Sequence, residues 1–234
     1  MNKFEDILKS TELTGYIDFI LKPNLRKTWG GAFNGQQFRR KMFLQILKNI
    51  DIASIIETGT FRGSTTKFIA ENFQGIIQTV EANKRYLGFA RMQLLFNRNV
   101  RLYHSDSRNF LNTVLPEHSN ERNTIFFYLD SHWAQDLPLL DELRIIFKYC
   151  INPVIMIDDF CVPRDAGYGY DDYGPGKSLE LALVNEITDI PIYKFFPSQN
   201  SASETGAKRG CIVVTHSPEM RSMLSRLDTL REHD

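Results

Sequence analysis

The 234-residue chain has few cysteines and only short apolar runs, and both features exclude classes of protein. Its three cysteines, Cys150, Cys161 and Cys211, are odd in number and show no C-x-x-C spacing, so the sequence predicts neither a disulfide framework nor a zinc site. Apolar runs such as residues 125–129 are far shorter than the roughly 18 residues of a spanning helix. The first residues also lack the apolar core of a signal peptide. We therefore expect a cytoplasmic protein without a membrane segment.

The sequence also lacks an excess of charge of either sign. Lys and Arg together number 28, as do Asp and Glu, which gives a net charge of +0 at pH 7. Without a positive field the chain has little to attract nucleic acid, so we expect no nucleic-acid partner. Glycine (14 residues) and proline (9 residues) are too rare for a collagenous or disordered chain, and 42% of the residues are hydrophobic. The composition predicts a packed globular protein of one domain.

Strand-like and helix-like patterns alternate through most of the chain. Apolar residues in 36–50 recur at helical spacing, and a β-branched run at 52–56, a glycine-containing turn and a short helical pattern around 68–73 follow. The same unit returns with strands predicted at 76–80, 100–104, 125–129 and 154–157, and with helices predicted at 82–96, 107–114, 137–147 and 178–187. Such alternation requires crossover connections between parallel strands. We therefore expect a doubly wound α/β sheet with helices on both faces.

The two ends of the chain depart from this alternation. Strand-like runs at 190–196 and 211–215 have no helical pattern between them, which predicts an antiparallel pair at one edge of the sheet. Helical stretches near 4–9 and 13–21 and a loop at 29–35 precede the first strand. The predicted fold is thus a seven-stranded, mostly parallel sheet with an antiparallel edge strand and extra N-terminal helices.

Ligands of open α/β sheets bind beyond the carboxyl ends of the strands. The first predicted strand ends at Glu57, and two glycines of the following turn, Gly59 and Gly63, would let the backbone approach a ligand. Ser64 falls at a helix N-terminus, whose free N–H groups favour anions. Glu81 ends the second strand and is placed to accept hydrogen bonds from ribose hydroxyls. A tight structural turn is the alternative interpretation of the glycines.

The next strand ends carry aspartates. Asp106 and Ser107 follow the third strand, where they either contact an adenine amino group or cap the helix that begins there. Asp130 follows the fourth strand, and Asp158 and Asp159 end the fifth. Converging carboxylates repel one another unless a cation neutralises them, so these three predict a divalent ion, with Mg²⁺ the best candidate. The alternative is that one or two of them face solvent or cap helices.

A long segment at 161–177 follows the last two aspartates. It carries Tyr168, Tyr170 and Tyr173, spaced by glycines. We interpret it as a lid whose tyrosines line an acceptor site, with a plain surface loop as the alternative.

Together these motifs resemble the class I S-adenosylmethionine (SAM)-dependent methyltransferases over roughly residues 34–215. More narrowly they resemble the metal-dependent catechol O-methyltransferase type, and bacterial sugar and natural-product O-methyltransferases are equally compatible. The segment LDSHW at 129–133 is similar to the Leu-Asp-His-Trp segment of that family, and MIDD at 156–159 is similar to its second pair of metal ligands. The resemblance implies a SAM-binding set, namely Gln36, Glu57, Gly59, Gly63, Ser64, Glu81, Asp106, Ser107, His132 and Trp133. It also implies metal ligands at Asp130, Asp158 and Asp159.

The chain departs from the catechol enzymes at three places. Ser131 is an added residue, Ala134 stands where those enzymes carry a catalytic Lys, and the second ligand pair is Asp-Asp here and Asp-Asn there. His132 is then the nearest candidate for a general base, with simple packing beside adenine as the alternative. Asp130 is expected to take part in catalysis through the metal, which would chelate two acceptor oxygens and lower the pKa of one.

The predicted function is SAM-dependent methylation of a hydroxyl on a small molecule such as a sugar, a catechol or a natural product. We expect an N-terminal helical cap at 1–35 and a methyltransferase domain at 36–234, in one compact unit, with a homo-oligomer left open. Two alternatives remain: a nicotinamide-dependent oxidoreductase, which should show the G-x-G-x-x-G spacing that is absent here, and a non-catalytic nucleoside-binding module, which would have no need of the three aspartates.

Overall fold

The computed structural model describes residues 11–118, 122–132 and 136–233, and the strands of these ranges form one eight-stranded sheet. They are β1 (Ile52–Thr58), β2 (Ile76–Glu81), β3 (Val100–His104), β4 (Thr124–Leu129), β5 (Asn152–Asp158), β6 (Tyr193–Pro197), β7 (Cys211–Thr215) and β8 (Leu230–His233). Their order across the sheet is β3-β2-β1-β4-β5-β7-β6-β8. Strands β1 to β5 pair in parallel, whereas β7 is antiparallel to both β5 and β6 and β8 is antiparallel to β6.

Helices connect and cover the strands. They are α1 (Glu12–Leu21), α2 (Gln37–Asn49), α3 (Ser64–Asn72), α4 (Lys84–Gln93), α5 (Ser107–Val114), α6 (Leu139–Tyr149), α7 (Leu181–Val184) and α8 (Pro218–Leu224). Polar side chains define several of the helix starts, because they accept hydrogen bonds from N–H groups of the first turn. Asn83 caps α4, Asp106 caps α5 and Ser217 caps α8 in this way.

The core lies on both faces of the sheet. Every residue of β4 and β5 is buried, as expected for central strands of a parallel sheet. Alternate residues serve opposite faces: Phe127 packs in the cluster that includes Leu111 of α5 and Leu143 of α6. Phe126 packs in the other cluster, with Phe43 of α2. Helices therefore cover both faces, and the expected doubly wound α/β architecture is confirmed.

The N-terminal helix α1 packs against α4 through glycines. A Cβ added to Gly15 would lie 2.1 Å from the carbonyl oxygen of Arg85, and one added to Gly88 would lie 2.2 Å from that of Glu12. The Arg85 guanidinium also pairs with Asp18 at 2.5 Å. These contacts fix α1 on the main sheet-bearing part of the chain, and the division at residue 35 stays a prediction.

Two parts of the fold differ from the sequence-based expectation. The sheet has eight strands instead of seven, because the short strand β8 pairs with β6. The helix expected at 178–187 forms only at Leu181–Val184, because Ser178 pairs with Asp172 and the Leu179 carbonyl accepts from Cys161 N–H. The helix expected near 4–9 lies outside the described residues.

No helix in the described ranges combines the length and the apolar character needed to cross a bilayer.

Candidate active site

The turn after β1 depends on two glycines with positive φ. Gly59 (φ +87°) passes so close to the end of β4 that a Cβ there would lie 2.1 Å from the carbonyl oxygen of Asp130. Gly63 (φ +77°) precedes α3, and its N–H donates to the Thr60 carbonyl at 2.8 Å. Residues other than glycine rarely adopt this backbone conformation. Half-buried Ser64 then opens α3.

Glu57 lies buried beneath this turn. Its Oε2 accepts hydrogen bonds from the hydroxyls of Thr66 at 2.5 Å and Thr79 at 2.6 Å. Burial raises the pKa of Glu57 to about 7. Because these two threonines belong to α3 and β2, the carboxyl joins the helix to the neighbouring strand. Its contact with the methionine part of SAM stays a prediction.

Glu81 lies at the end of β2, beside the same turn. Its Oε2 accepts from the Phe61 N–H and its Oε1 from the Asn83 N–H, each at 2.7 Å. Burial raises the pKa of Glu81 to about 7. The Ala82 N–H also interacts with this carboxylate, whose two oxygens together offer about four acceptor positions, so the backbone does not use all of them. This arrangement fits the two adjacent hydroxyls of a ribose.

At the end of β3, the helix-capping interpretation of Asp106 is observed. Its carboxylate accepts from the Arg108 N–H at 2.9 Å, and the Arg108 guanidinium pairs with it at 2.7 Å, which lowers the pKa of Asp106. Neighbouring Ser107 is buried and accepts a 3.4 Å hydrogen bond from the Ser131 hydroxyl. Contact of Asp106 and Ser107 with adenine stays a prediction.

The added residue of the LDSHW segment has a clear role. The Ser131 hydroxyl approaches Glu142 of α6 at 2.7 Å, and burial raises the pKa of Glu142. The sequence did not single out Glu142, because its place in the apolar pattern of α6 gives no signal of a polar contact. Trp133, predicted to border adenine, lies outside the described residues.

Gln36 joins the start of α2 to the segment before β7. Its Nε2 donates to the Arg209 carbonyl at 2.8 Å, and its Oε1 accepts from the Arg209 N–H at 2.9 Å. The side chain is buried, and both of its amide groups are engaged by the backbone. Its predicted contact with SAM stays a prediction.

Asp158 is surrounded by donors at the end of β5. Its carboxylate forms an ion pair with the buried Arg39 guanidinium and accepts from the Tyr128 hydroxyl. It also accepts from Asn34 Nδ2 at 3.3 Å and from the Asp159 N–H at 2.7 Å. Arg39 carries no sequence signal of this role, because its partner is 119 positions away. The structure therefore places Asp158 in a buried ion pair.

A second group of side chains lies next to this ion pair, at the ends of β4 and β5. Asp130, His132 and Asp159 each offer one ligand atom, and these atoms lie within 4.8 Å of one another. His132 Nε2 is 3.8 Å from Asp130 Oδ1 and 4.0 Å from Asp159 Oδ2. We call these three residues the acidic cluster. It contains two of the three carboxylates that were predicted as metal ligands, and its third member is His132 instead of Asp158.

The electrostatics of the acidic cluster follow from burial. The His132 side chain is only 2% exposed, which lowers its pKa and favours the neutral imidazole. Burial and the Asp159 carboxylate raise the pKa of Asp130. Among the described residues, His132 Nε2 has no hydrogen-bond partner. Two carboxylates and a free, buried imidazole nitrogen are a donor set that suits a divalent cation.

Arg209 and Asp171 border the acidic cluster. The Arg209 Nε donates to Asp159 Oδ1 at 2.6 Å, and its other arm binds Asp171 Oδ1. Asp171 Oδ2 lies 4.0 Å from His132 Nε2, and the Asp171 N–H donates to the Asp159 carbonyl at 2.9 Å. Sequence reasoning missed Asp171, because it lies in the segment 161–177 and follows no strand.

The three tyrosines of that segment have different surroundings. Tyr168 is buried, and its hydroxyl donates to the Gln199 carbonyl at 3.2 Å. The Tyr173 hydroxyl donates to Asp171, and Tyr170 is 37% exposed. Tyr173 thus contacts a residue that borders the acidic cluster, and the acceptor contacts of all three tyrosines stay predictions.

No protein-family model matches this chain, and no curated protein matches its sequence. Solved structures match its fold. One is an O-methyltransferase from Bacillus cereus in complex with SAH, with 18% identity and a TM-score of 0.54 over 89% of this chain and 99% of that one. Another is the O-methyltransferase TomG from Streptomyces achromogenes, involved in tomaymycin synthesis, in complex with SAM, with 13% identity and a TM-score of 0.52 over 76% of this chain and 80% of that one.

A third is cofactor-bound Rv0187 from MTB, with 16% identity and a TM-score of 0.56 over 91% of this chain and 95% of that one. At such identities the likeness establishes the fold alone. The chain therefore has the Rossmann-like fold of the class I SAM-dependent methyltransferases, as its motifs indicated.

Proposed function

We propose that the protein is a SAM-dependent O-methyltransferase that methylates a hydroxyl of a small molecule with the help of a divalent cation. The observation that carries the proposal is the position of two features within this fold. Glu81 lies at the end of β2 with acceptor positions left for a ribose, and the acidic cluster lies at the ends of β4 and β5. Both lie at the carboxyl edge of the strands, where open α/β sheets bind their ligands.

Glu81 and the turn at Gly59 and Gly63 would hold SAM. When bound, SAM supplies a methyl group on a sulfonium sulfur. The carboxylate of Glu81 would accept hydrogen bonds from the ribose of SAM, and the tight turn would orient the methionine part of SAM. Methyl transfer is mainly a matter of positioning, so the task of these residues is to present the methyl group in line with the acceptor oxygen.

Asp130 and Asp159 would hold the cation. The Arg209 guanidinium pairs with two carboxylates, those of Asp159 and Asp171, and the Asp130 carboxylate lies near the same histidine as they do. Full ionisation of these four groups leaves two negative charges. A divalent ion matches that charge. Arg209 engages Oδ1 of Asp159, whereas Oδ2 faces His132. A cation held there would lower the pKa of an acceptor hydroxyl and so favour the loss of its proton.

The two alternative functions, an oxidoreductase and a nucleoside-binding module, explain fewer features of the site. A nicotinamide-dependent oxidoreductase would need glycines for the pyrophosphate, whereas the turn here reads Gly-Thr-Phe-Arg-Gly between Gly59 and Gly63. A non-catalytic nucleoside-binding module would use Glu81 but gives no reason for the acidic cluster.

Calorimetry with SAM, SAH and NAD separates these functions, followed by transfer of a labelled methyl group from SAM to a panel of catechols and sugars. We expect SAM and SAH to bind, NAD not to bind, and transfer to stop in excess chelator. Asp130→Asn should lower the transfer rate at least about 100-fold, because metal-ion catalysis supplies several kcal/mol. Asp51→Asn is the control, since this exposed carboxylate lies before β1 at the opposite edge of the sheet.

Each contrary result points to one alternative. Binding of NAD without SAM would favour the oxidoreductase. Binding of SAM without transfer to any acceptor would favour the binding module. Full transfer in excess chelator would remove the cation from the proposal.

A further inference from the structure

We infer that His132 is itself a ligand of the cation, with Asp130 and Asp159, and that the site therefore prefers a first-row transition ion to Mg²⁺. The inference rests on the proposed function, which places a divalent cation at the acidic cluster. It changes both the ligand set that the sequence predicts, in which Asp158 is the third member, and the identity of the ion.

The His132 imidazole is buried without a partner for one of its nitrogens in the part of the chain that the structure describes. The His132 side chain is 2% exposed, and its Nε2 has no hydrogen-bond partner among the described residues. Buried polar atoms are nearly always paired, because an unpaired one loses its interaction with water without compensation. Yet this nitrogen lies among carboxylate oxygens of Asp130, Asp159 and Asp171, at 3.8 to 4.0 Å. It therefore faces negative groups that it does not bond directly.

The distances within the acidic cluster suit a bridging ion. Transition ions bind nitrogen and oxygen ligands at about 2.1 Å, so one ion can join two ligand atoms up to about 4.2 Å apart. The separations of His132 Nε2 from Asp130 Oδ1 and from Asp159 Oδ2, 3.8 and 4.0 Å, fall within that reach and are too long for hydrogen bonds. Asp171 is less suited as a ligand, because Arg209 engages its Oδ1 and Tyr173 engages its Oδ2.

Asp158 is already committed to a different partner, the Arg39 guanidinium. Removing its carboxylate from Arg39 to bind a cation would leave a buried guanidinium unpaired, which is strongly unfavourable. Its Oδ1 also accepts the Asp159 N–H at 2.7 Å, and Asp159 has a left-handed backbone with φ 51°. Asp158 is therefore a positioning residue, which holds the backbone of Asp159 so that the Asp159 carboxylate enters the cluster.

The ligand types determine the preferred ion. Mg²⁺ binds oxygen ligands almost exclusively, whereas an imidazole nitrogen suits cobalt, iron, nickel and zinc. A set of two carboxylates and one imidazole should bind these ions more tightly than Mg²⁺. Exchanging the imidazole for an amide oxygen should remove that preference without removing the site.

The test measures ion binding directly, with the full-length protein freed of metal by chelation. Calorimetry with Co²⁺ alone and with Mg²⁺ alone gives the two affinities, and the visible absorption of bound Co²⁺ reports its ligands. We expect Co²⁺ to bind at least about tenfold more tightly than Mg²⁺. His132→Gln should weaken Co²⁺ binding about 10- to 100-fold, change the Co²⁺ spectrum and leave Mg²⁺ binding within about threefold.

Two further variants frame this result. Asp130→Asn should weaken both ions, because it removes a ligand that either ion uses. His233→Gln is the matched control, since this histidine lies on β8 at the far edge of the sheet, and it should change neither affinity. Circular dichroism of each variant shows that it folds.

Equal affinities for Co²⁺ and Mg²⁺, with no effect of His132→Gln on either, would overturn the inference. So would a His132→Gln protein that binds both ions normally but loses the acidic limb of its pH–rate profile, because His132 would then be a general base. SAM binding, measured in the same samples, is independent of this outcome. Its loss would contradict the proposed function, whereas its retention with an unselective ion site would contradict only the inference.

Discussion

Two buried glutamates at neighbouring strand ends share a raised pKa of about 7 but differ in what surrounds them. The carboxyl of Glu57 accepts from two threonine hydroxyls of the protein itself and lies under the β1 turn. Glu81 accepts only from the backbone in the described hydrogen bonds and keeps acceptor positions for a ligand. The same residue type at adjacent positions of the edge thus supports the fold in one case and is available for binding in the other.

The first prediction concerns Glu81. Glu81→Ala removes the proposed acceptor of the ribose hydroxyls and should weaken SAM binding by about 1.5 to 3 kcal/mol, or roughly 10- to 150-fold. In the unchanged protein, affinity for SAM should fall as the pH is lowered through about 7, because protonation removes the charged acceptor. Calorimetry at pH 8 and pH 6 measures both effects. Glu71→Ala, at a carboxylate that is 56% exposed, is the control, and equal affinity in the Glu81 variant would end the ribose assignment.

The second prediction concerns the stability of the fold. The pKa of Glu57 is about 7 in the folded protein, against the ordinary value of 4.5, so between these values the folded state keeps a proton that the unfolded state releases. The stabilisation is complete below pH 4.5 and is lost as the pH rises through about 7, up to roughly 3 kcal/mol. Glu57→Gln cannot ionise, so it should gain stability relative to the unchanged protein between pH 5 and pH 8. Urea unfolding at both pH values measures this difference, with Glu71→Gln as control, and parallel pH dependences would contradict it.

Strand ends explain which site residues the sequence could indicate. Glu81 ends β2, and Asp130 and Asp159 directly follow β4 and β5, so their position at one edge follows from the parallel sheet alone. Asp158 is the instructive exception, because it ends β5 whereas Asp159 has a left-handed backbone with φ 51°, so the directions of the two side chains cannot be inferred from strand alternation. Neighbours in sequence therefore need not share a site, and here Asp158 turns to Arg39 while Asp159 faces the cluster.

At the scale of elements, the contact between α1 and α4 depends on the absence of side chains. Gly15 and Gly88 allow the two helices to approach until backbone meets backbone. On α1, Leu13, Ile17 and Leu21 are exposed at helical spacing, so the buried side of the helix is its glycine side. The hydrophobic pattern thus predicted helix α1 correctly, but it did not indicate which face of the helix packs against α4.

The third prediction tests this attachment. Gly15→Ala raises intrinsic helix propensity by about 1 kcal/mol, yet its methyl group would lie 2.1 Å from the Arg85 carbonyl oxygen. We expect a net destabilisation of about 1 to 3 kcal/mol and faster hydrogen exchange in α1, because the helix must move away from α4. Leu13→Ala, at a side chain that is 63% exposed, should change neither by much. Slower exchange in the Gly15 variant would show that the contact is looser than described.

The sequence does not reveal elements that depend on pairing between separate segments of the chain. Strand β8 has four residues, Leu-Arg-Glu-His, of which Leu230 alone is buried, so the sequence carries no alternation to reveal it. It exists because β6 offers an open edge. The length of helix α7 was overestimated because Ser178 pairs with Asp172 instead of joining the helix. Local propensity cannot reveal such a pairing.

For the whole molecule, the alternation of strand and helix was enough to predict the architecture. The periodic spacing of apolar residues is a property of many positions together, so it still predicts an element when a single residue departs from the pattern. The site depends instead on single contacts between remote segments, such as Gln36 with Arg209, which are 173 positions apart. No pattern along the chain encodes such a contact, which is why Arg39, Glu142 and Asp171 emerged only from the folded structure.

The insertion of β7 between β5 and β6 has a consequence for biosynthesis. Arg39 and Gln36, made early, find their carbonyl partners at Arg209 and Gly210, just before β7. A ribosome must therefore translate beyond residue 210, and release that segment from the exit tunnel, before the Asp158 ion pair is enclosed and Arg209 reaches Asp159. Until then, the nascent protein exposes one edge of β5, whose central residues 153–157 are apolar, as an unpaired edge, the condition under which chaperones bind.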